Sequence, residues 1–206
     1  IVPISSAATP LRIAWAIQDL TGLGGASWVI DNNPETVPPA RAMTSQSSAE
    51  YRGSDVDGWL HVRASDNGGN WSGVTHQRLL VDSAAPVAAQ ISPPSGARTA
   101  VSEIRLKLSD NGIAGVDPGS VVLSVAGSDY TVSNSGLTYL SNQGELVFNC
   151  ERTSPRPTVF ANGQEIQVAL KSAADYAGNR VAQLPAWTWT MDYSKDTTPP
   201  VVARVE

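Results

Sequence analysis

The residues best suited to binding chemistry in this chain are carboxylates in two copies of one short motif. Asp66-Asn67-Gly68-Gly69-Asn70 and Asp175-Tyr176-Ala177-Gly178-Asn179 share the pattern D-x-x-G-N. An Asp carboxylate can accept hydrogen bonds from backbone N–H groups of its own loop, and Gly adopts the left-handed conformation at little cost. The Asn amide can tie the following strand to the loop. The motif therefore predicts two structural turns. Their key residues are Asp66, Gly69, Asn70, Asp175, Gly178 and Asn179.

Calcium is the alternative use of these carboxylates, because Ca²⁺ takes about six to eight oxygen ligands, including backbone carbonyls. The candidate ligands are Asp19, Asp66, Asp110 and Asp175, and a linker ligand could come from Asp82 or Asp196. We expect the first two to pair with each other, and the next two likewise, where loops converge at one end of each domain. No EF-hand or cadherin-like spacing accompanies them, so calcium is a hypothesis beside the structural turn.

The two histidines of the chain flank the Asn67-Gly68 turn almost symmetrically. His61 and His76 are therefore predicted to face one another across a hairpin, as are Trp59 and Arg78. A zinc site at the histidines would need two more ligands, which the sequence does not indicate. Cross-strand packing, with Trp59 stacked on Arg78, is the simpler interpretation.

Six tryptophans raise the question of sugar binding, because aromatic faces stack on pyranose rings. Most stand in alternating runs and are predicted to anchor cores. These core candidates are Trp15, Trp59 and one of Trp187 and Trp189. Trp28 and Trp71 lie beside turns, so we expect them to be exposed and name them as the candidate sugar contacts.

No catalytic constellation is present in the sequence. Cys150 is the only cysteine, which excludes an intrachain disulfide, and both histidines belong to the other segment. It is predicted to be a small buried hydrophobe at the end of the strand 145–149. The chain has no nucleophile elbow or metalloprotease motif. Gly22-x-Gly24-Gly25 opens no helix, so it is not a phosphate loop. We therefore predict a protein that is not an enzyme and needs no cofactor, apart from the calcium hypothesis.

Composition narrows the possible partners. Charged residues make up 16% of the 206 residues, the formal net charge is −5, and no basic stripe is present, which disfavours nucleic acid. No apolar run is long enough to cross a bilayer, so membrane insertion is not expected. The chain starts at Ile1 and not at Met, so we expect a removed leader or a piece cut from a longer protein.

The elements that must position these residues are β-strands, because apolar residues alternate with polar ones along the chain. Runs such as Ile13–Ile17 and Ile104–Leu108 show this period of two, whereas 34–48 fits no strand pattern. Further strands are expected near 28–30, 119–125, 130–132, 137–140 and 187–191. The residues predicted to face the cores are Ile13, Trp15, Ile17, Val62 and Ala64, and then Ile104, Leu106, Leu108, Val168 and Leu170. Dense turn signals between short strands favour antiparallel β-sandwiches of about seven strands each.

Internal repetition predicts two tandem domains. The phrase at 82–89 (DSAAPVAA) is echoed at 196–203 (DTTPPVVA), and the prolines mark a short, stiff linker within 82–87. The predicted domains are 1–85 and 86–199. The tail 200–206 is expected to start a further module or to pair as a strand with a neighbouring subunit.

The longest phrase in the first domain resembles the signature of a known type of module. Trp59-Leu60-His61-Val62-Arg63-Ala64-Ser65-Asp66, followed by Gly69-Asn70-Trp71-Ser72, is similar to bacterial immunoglobulin-like repeats, also described as fibronectin-III-like. The second domain resembles their longer relatives through Gly115-Val116-Asp117-Pro118, its D-x-x-G-N turn and the run 187–192. The resemblance implies two tandem immunoglobulin-like antiparallel β-sandwiches, arrayed in long secreted and cell-surface proteins. It implies fold better than function.

The expected function is therefore that of a non-enzymatic structural or adhesive module of an extracellular surface protein or filament, bacterial or archaeal. The expected partners are neighbouring modules of the same chain or identical subunits. The alternative is a carbohydrate-binding accessory unit of a secreted hydrolase, with surface glycans as partners. A filament subunit would use its terminal strand to complete a neighbour's sheet.

Overall fold

The computed structural model describes the backbone of residues 2–5 and the whole of residues 11–52, 55–133, 136–153 and 158–199. These residues fold almost entirely into β-strands, with short 3₁₀ helices at Cys150–Arg152 and Tyr193–Lys195. Within this part of the chain, no helix has the length and apolarity to span a membrane. The prediction for the tail 200–206 falls outside the described residues.

The chain divides into two compact units. The first comprises Ile1–Ala85, Asn111–Gly115 and Asp175–Asn179, and the second comprises Pro86–Asp110, Val116–Ala174 and Arg180–Glu206. Each unit contains two β-sheets, and most strand pairs are antiparallel, which agrees with the predicted immunoglobulin-like sandwich class.

The first unit has six strands in its described part. They are β1 (Val2–Ser5), β2 (Leu11–Ala14), β3 (Leu23–Asp31), β4 (Ser48–Tyr51), β5 (Val56–Asp66) and β6 (Thr75–Asp82). One sheet has the order β1-β6-β5-β3 and the other pairs β2 with β4. β1 runs parallel to β6, and the remaining pairs are antiparallel. The hairpin β5–β6 places His61 opposite His76 and Trp59 opposite Arg78, which confirms the predicted register.

The core of the first unit is small. Its buried residues are Ile13, Leu60, Leu79 and Val81, with Trp15, Trp28 and Val62 among the half-buried side chains packed on them. Of the residues predicted to face inward, Ile13 and Ala64 are buried, and Trp15, Ile17 and Val62 are half-buried. β2 ends at Ala14, earlier than the predicted run, because its pairing with β4 stops at Ser48.

Trp59 does not occupy the core position that the sequence predicted. Leu60 and Val62 face the core, and successive side chains of a strand point to opposite faces. Trp59 therefore faces away from the core, and the prediction that it anchors the core is wrong. The same alternation places His61 and Arg63 on this outer face of the sheet.

The second unit has nine strands in its described part, and only the last residue of one of them, Asp175, belongs to the first unit. They are β7 (Val87–Ser92), β8 (Arg98–Thr99), β9 (Glu103–Ser109), β10 (Val116–Val125), β11 (Ser128–Thr131), β12 (Leu137–Leu140), β13 (Glu145–Asn149), β14 (Glu165–Asp175) and β15 (Ala186–Met191). The sheet orders are β11-β10-β14-β15-β8 and β12-β13-β9-β7.

The core of the second unit fills the space between its two sheets. All five residues predicted to face inward are buried, while Arg105 and Lys107 alternate with them and are not. These five are Ile104, Leu106, Leu108, Val168 and Leu170. Trp187 and Trp189 are both buried, although only one of them was predicted to lie in the core. The alternation pattern thus identified the buried faces of β9 and β14 correctly.

Candidate functional site

The first D-x-x-G-N turn follows β5 and is closed by hydrogen bonds to one carboxylate. Asp66 accepts from the Asn70 N–H at 2.8 Å and from the Asn70 side-chain amide at 2.8 Å. Gly69 has a φ of 86°, which favours glycine. The Asn70 amide, followed by the backbone N–H groups of the loop, lowers the pKa of Asp66 below its ordinary value. This turn has the hydrogen bonds that the structural interpretation requires.

The second D-x-x-G-N turn has the same bonds in a buried setting. Asp175, the last residue of β14, accepts from the Asn179 N–H at 2.8 Å and from the Asn179 amide at 2.7 Å. Gly178 has a φ of 94°. Asp175 is 2% exposed and Asn179 is 5% exposed, whereas Asn70 of the first turn is exposed. Identical local chemistry is therefore placed in two different dielectric environments.

Asp82 is the centre of a buried hydrogen-bond network in the first unit. It is fully buried, and its carboxylate accepts from the Ala84 N–H at 2.9 Å and the Ala114 N–H at 2.7 Å. Its backbone carbonyl accepts from the Asn179 amide at 3.1 Å. A Cβ atom on Gly112 would lie only 2.3 Å from the Asp82 carboxylate, so the loop needs glycine there. The sequence indicated Asp82 only as a supplementary calcium ligand, and this role was not predicted.

The acidic residues named as calcium candidates occupy different settings. In the first unit, Asp82 and Asp175 bring carboxylate oxygens within 4.8 Å of each other. Asp19 is exposed and accepts from the Thr21 N–H and hydroxyl, both at 2.7 Å. Among the described residues, neither Asp19 nor Asp66 joins a group of three or more potential ligand atoms. In the second unit, the half-buried Asp110 follows β9 and the exposed Asp196 binds the Thr198 N–H.

The outer face of the sheet in the first unit carries a histidine pair. His61 Nδ1 lies 2.6 Å from His76 Nδ1, with the rings nearly perpendicular at 75°. His61 is fully buried and His76 is exposed. Asp31 Oδ1, on the neighbouring strand β3, lies 3.3 Å from His61 Nε2. Hydrogen bonding from the Thr36 side chain lowers the pKa of Asp31, with the Asn33 N–H and His61 adding to the effect.

Two arginine–tryptophan contacts lie on the same hairpin. The Arg78 guanidinium is 5.7 Å from the centre of the Trp59 ring, as the sequence predicted, and it also pairs with Asp57. The Arg63 guanidinium is 5.0 Å from the centre of the Trp71 ring. These contacts are cation–π interactions, so each indole ring already packs against an arginine of the same chain.

The two tryptophans proposed as sugar contacts are not brought together. Trp28 lies opposite Val62 and packs on the core of the first unit, so the prediction that it is exposed is wrong. The cause is again strand alternation, since Trp28 shares its face with Ile30. Trp71 is half-buried under Arg63.

A cleft in the first unit was not anticipated from sequence. It has a volume of about 440 Å³ and lies beside the segment that follows β2 and the strands β5 and β6. Apolar and polar side chains line it together. Among them are Trp15, Ile17, Val62, Arg63, Ser72 and Gln77. No motif in the sequence marks this cleft, because its walls come from three separate segments.

Cys150 is buried, as the sequence predicted. Burial raises the pKa of its thiol to about 11. The thiol is therefore protonated at neutral pH, and only a thiolate is an effective nucleophile.

Solved structures of modular β-proteins align with the chain at low similarity. Fibronectin(III)-like modules of Clostridium thermocellum CbhA align with a TM-score of 0.43 and 13% identity, over 93% of this chain and 90% of theirs. The D00-D0 domain of intimin aligns with a TM-score of 0.36 and 12% identity, over 92% and 96%. The Bacteroides ovatus protein SGBP-B, solved with a mixed-linkage heptasaccharide, aligns with a TM-score of 0.28 and 13% identity, over 91% and 42%. No protein-family profile and no curated protein matches the chain. Its structural neighbours are thus fibronectin-III-like and immunoglobulin-like modules, at low similarity.

Proposed function

We propose that this chain is a non-enzymatic structural module of an extracellular surface protein or filament, and that it carries tension along the chain. The observation that supports this proposal is the pairing of the first and last strands of the first unit. β1 and β6 are parallel neighbours. Their paired residues run from Val2 opposite Leu79 to Ser5 opposite Asp82.

Parallel terminal strands resist pulling for a geometric reason. Tension enters at the start of β1 and leaves at the end of β6, so it pulls the two strands in opposite directions along their length. Their inter-strand hydrogen bonds, evenly spaced along a parallel pair, are then loaded together and not one after another. Forced unfolding is governed by the unfolding rate, and strands whose hydrogen bonds must break together should separate only at high force.

The buried network at Asp82 supports the same role. Asp82 is the last residue of β6, where the load leaves the sheet. Its carboxylate and carbonyl hold three hydrogen bonds, to Ala84, Ala114 and Asn179. These bonds hold the end of β6 in the first unit. This strand end is therefore expected to transmit force and not to fray.

Single-molecule force spectroscopy tests this proposal. Handles attached at residues 2 and 199 should give a high unfolding force for the first unit, whereas handles at residues 11 and 199 leave β1 out of the force path. We expect the unfolding force of the first unit to fall in the second arrangement, while the event of the second unit serves as the internal control. Equal forces in both arrangements would refute the load-bearing role.

We propose a bacterial or archaeal cell surface as the location and neighbouring modules or identical subunits as the partners. The resemblance of 59–72 to immunoglobulin-like repeats of surface proteins supports this location. Antibodies raised against the chain should label intact cells of the source organism. Labelling only after the cells are broken would contradict the proposal.

Carbohydrate binding is the second candidate function, and the cleft beside Trp15 favours it. An indole and several hydrogen-bonding side chains line this cleft, a lining typical of small-molecule sites. A glycan array with the intact chain should then show binding that Trp15→Phe weakens. Trp59→Phe, which changes a tryptophan that does not line the cleft, is the matched control. Absence of binding to the array would remove this candidate.

Calcium binding remains a proposal, and the approach of the Asp82 and Asp175 carboxylates supports it. A bound ion would stabilise the folded chain by mass action. Differential scanning calorimetry with millimolar Ca²⁺ against a chelator should then show a higher melting temperature in calcium. The increase should vanish in Asp175→Asn and persist in Asp19→Asn.

A further inference from the structure

We propose that His61 and His76 form a binding site for a divalent transition-metal ion, with copper(II) bound most tightly. The inference goes beyond the structural function and does not depend on it. It rests on three features of the outer face of the first unit. A ring nitrogen of His61 contacts a ring nitrogen of His76, the His61 ring is buried, and the Asp31 carboxylate lies at the opposite nitrogen of that ring.

The short contact between the two ring nitrogens means that a single proton lies between them. His61 Nδ1 and His76 Nδ1 are 2.6 Å apart, which requires one nitrogen to donate and the other to accept. Asp31 Oδ1 lies 3.3 Å from the opposite nitrogen of His61, and a carboxylate there favours a proton on Nε2. His61 Nδ1 then presents its lone pair to His76.

A metal ion can replace the single proton between the rings. Metal–nitrogen bonds of about 2.0–2.1 Å at right angles place two nitrogens about 2.9 Å apart. For such tetragonal coordination the observed separation of 2.6 Å must widen by about 0.3 Å, and the rings must turn so that both lone pairs point at the ion. His76 is exposed, so its ring can move outward while the buried His61 stays fixed.

The carboxylate behind His61 completes an arrangement common in metal sites. Metal-binding histidines usually donate their second ring N–H to a carboxylate, which fixes the tautomer and strengthens the ligand. His61 Nε2 is fully buried, and the Asp31 carboxylate lies 3.3 Å from it. Asp31 is thus a positioning residue and His61 and His76 are the ligands.

The ligand set selects the metal. Imidazole suits Cu²⁺, Ni²⁺ and Zn²⁺, and affinity for copper(II) exceeds that for zinc in the Irving–Williams order. No third histidine, cysteine or acidic side chain of the described residues groups with this pair. The remaining coordination positions therefore belong to solvent, which tetragonal copper(II) tolerates better than a tetrahedral structural zinc site does.

Titration of the intact chain with Cu²⁺, followed by electron paramagnetic resonance, tests the proposal. We expect one tight copper per chain, with hyperfine coupling to two nitrogens, and weaker Zn²⁺ binding by calorimetry. The chain has only two histidines, so no other imidazole competes. His76→Ala should lower copper affinity at least 100-fold, and Asp31→Asn should lower it about 10–100-fold. Asp57→Asn, an acidic residue on the same sheet, should leave it unchanged.

Two results would overturn the proposal. Equal copper affinity in the unaltered chain and in His76→Ala would place the ion at carboxylates or the terminal amine. No binding to the unaltered chain at 100-micromolar copper would show that the histidines share only a hydrogen bond. Ring ¹⁵N resonances of both histidines in the unaltered chain should shift with Zn²⁺, a readout that needs no variant to fold.

Discussion

Replacing Asp175 by alanine should destabilise the chain far more than the same change at Asp66. Both carboxylates accept one backbone N–H and one side-chain amide of the Asn four residues later, at 2.7–2.8 Å. The difference is burial. Asp175 and Asn179 are buried, whereas Asn70 is exposed and can turn to water. The two turns therefore form a pair with the same carboxylate hydrogen bonds in different environments.

The expected loss at Asp175 follows from the groups left behind. A buried N–H without a partner costs about 1–3 kcal/mol, and a hydrogen bond to a charged group contributes about 1.5–3 kcal/mol. The Asn179 amide keeps its bond to the Asp82 carbonyl, which limits the loss. We expect Asp175→Ala to lower the free energy of unfolding by about 2–4 kcal/mol and the melting temperature by about 10 °C.

Urea denaturation and calorimetry of the two single variants provide the assay. The decrease in melting temperature caused by Asp66→Ala should be a small fraction of the decrease caused by Asp175→Ala. Asp175→Asn keeps one acceptor oxygen and the size of the side chain, so it should lie between the unaltered chain and Asp175→Ala. The reasoning fails if Asp66→Ala is as damaging as Asp175→Ala, since burial would then not govern the cost.

Three further outcomes are expected. The pKa of Asp66 is lowered, so its stabilising contribution is complete above its unfolded pKa and is lost as pH falls through the folded value. Asn70→Ala should raise that pKa toward the ordinary value in a carboxyl ¹³C titration. The Cys150 thiol, with a pKa raised to about 11, should not react with a disulfide reagent at pH 8 until the chain unfolds. Gly112→Ala should lower the melting temperature because a Cβ meets a carboxylate, whereas Gly73→Ala, with open space around it, should not.

Alternation predicted the second unit well, because its sheets enclose one large core. The polar residues Arg105 and Lys107 between Ile104 and Leu108 left only one orientation for β9. The near-symmetrical positions of His61 and His76 about the Asn67-Gly68 turn predicted their pairing, since turn geometry contributes to the register of a hairpin.

Long-range contacts escaped prediction for a physical reason. The network at Asp82 joins residues 32 and 97 positions away, and no local pattern encodes which distant loop reaches a given carboxylate. Trp59 was misplaced because a tryptophan suits either face of a half-buried strand, and the aliphatic neighbours Leu60 and Val62 decide the orientation. The carboxylate behind His61 was also missed, because Asp31 lies on another strand and no motif links it to the histidines.

The first unit contains segments from distant parts of the sequence, which affects how the protein can be divided into fragments for study. Asn111–Gly115 and Asp175–Asn179 belong to that unit although they lie far along the chain from it. A fragment that ends at residue 85 would lack the Ala114 N–H and the Asn179 amide, and would leave the buried Asp82 carboxylate with the Ala84 N–H. A fragment that includes residues 111–115 and 175–179 should therefore be more stable than one that ends at residue 85.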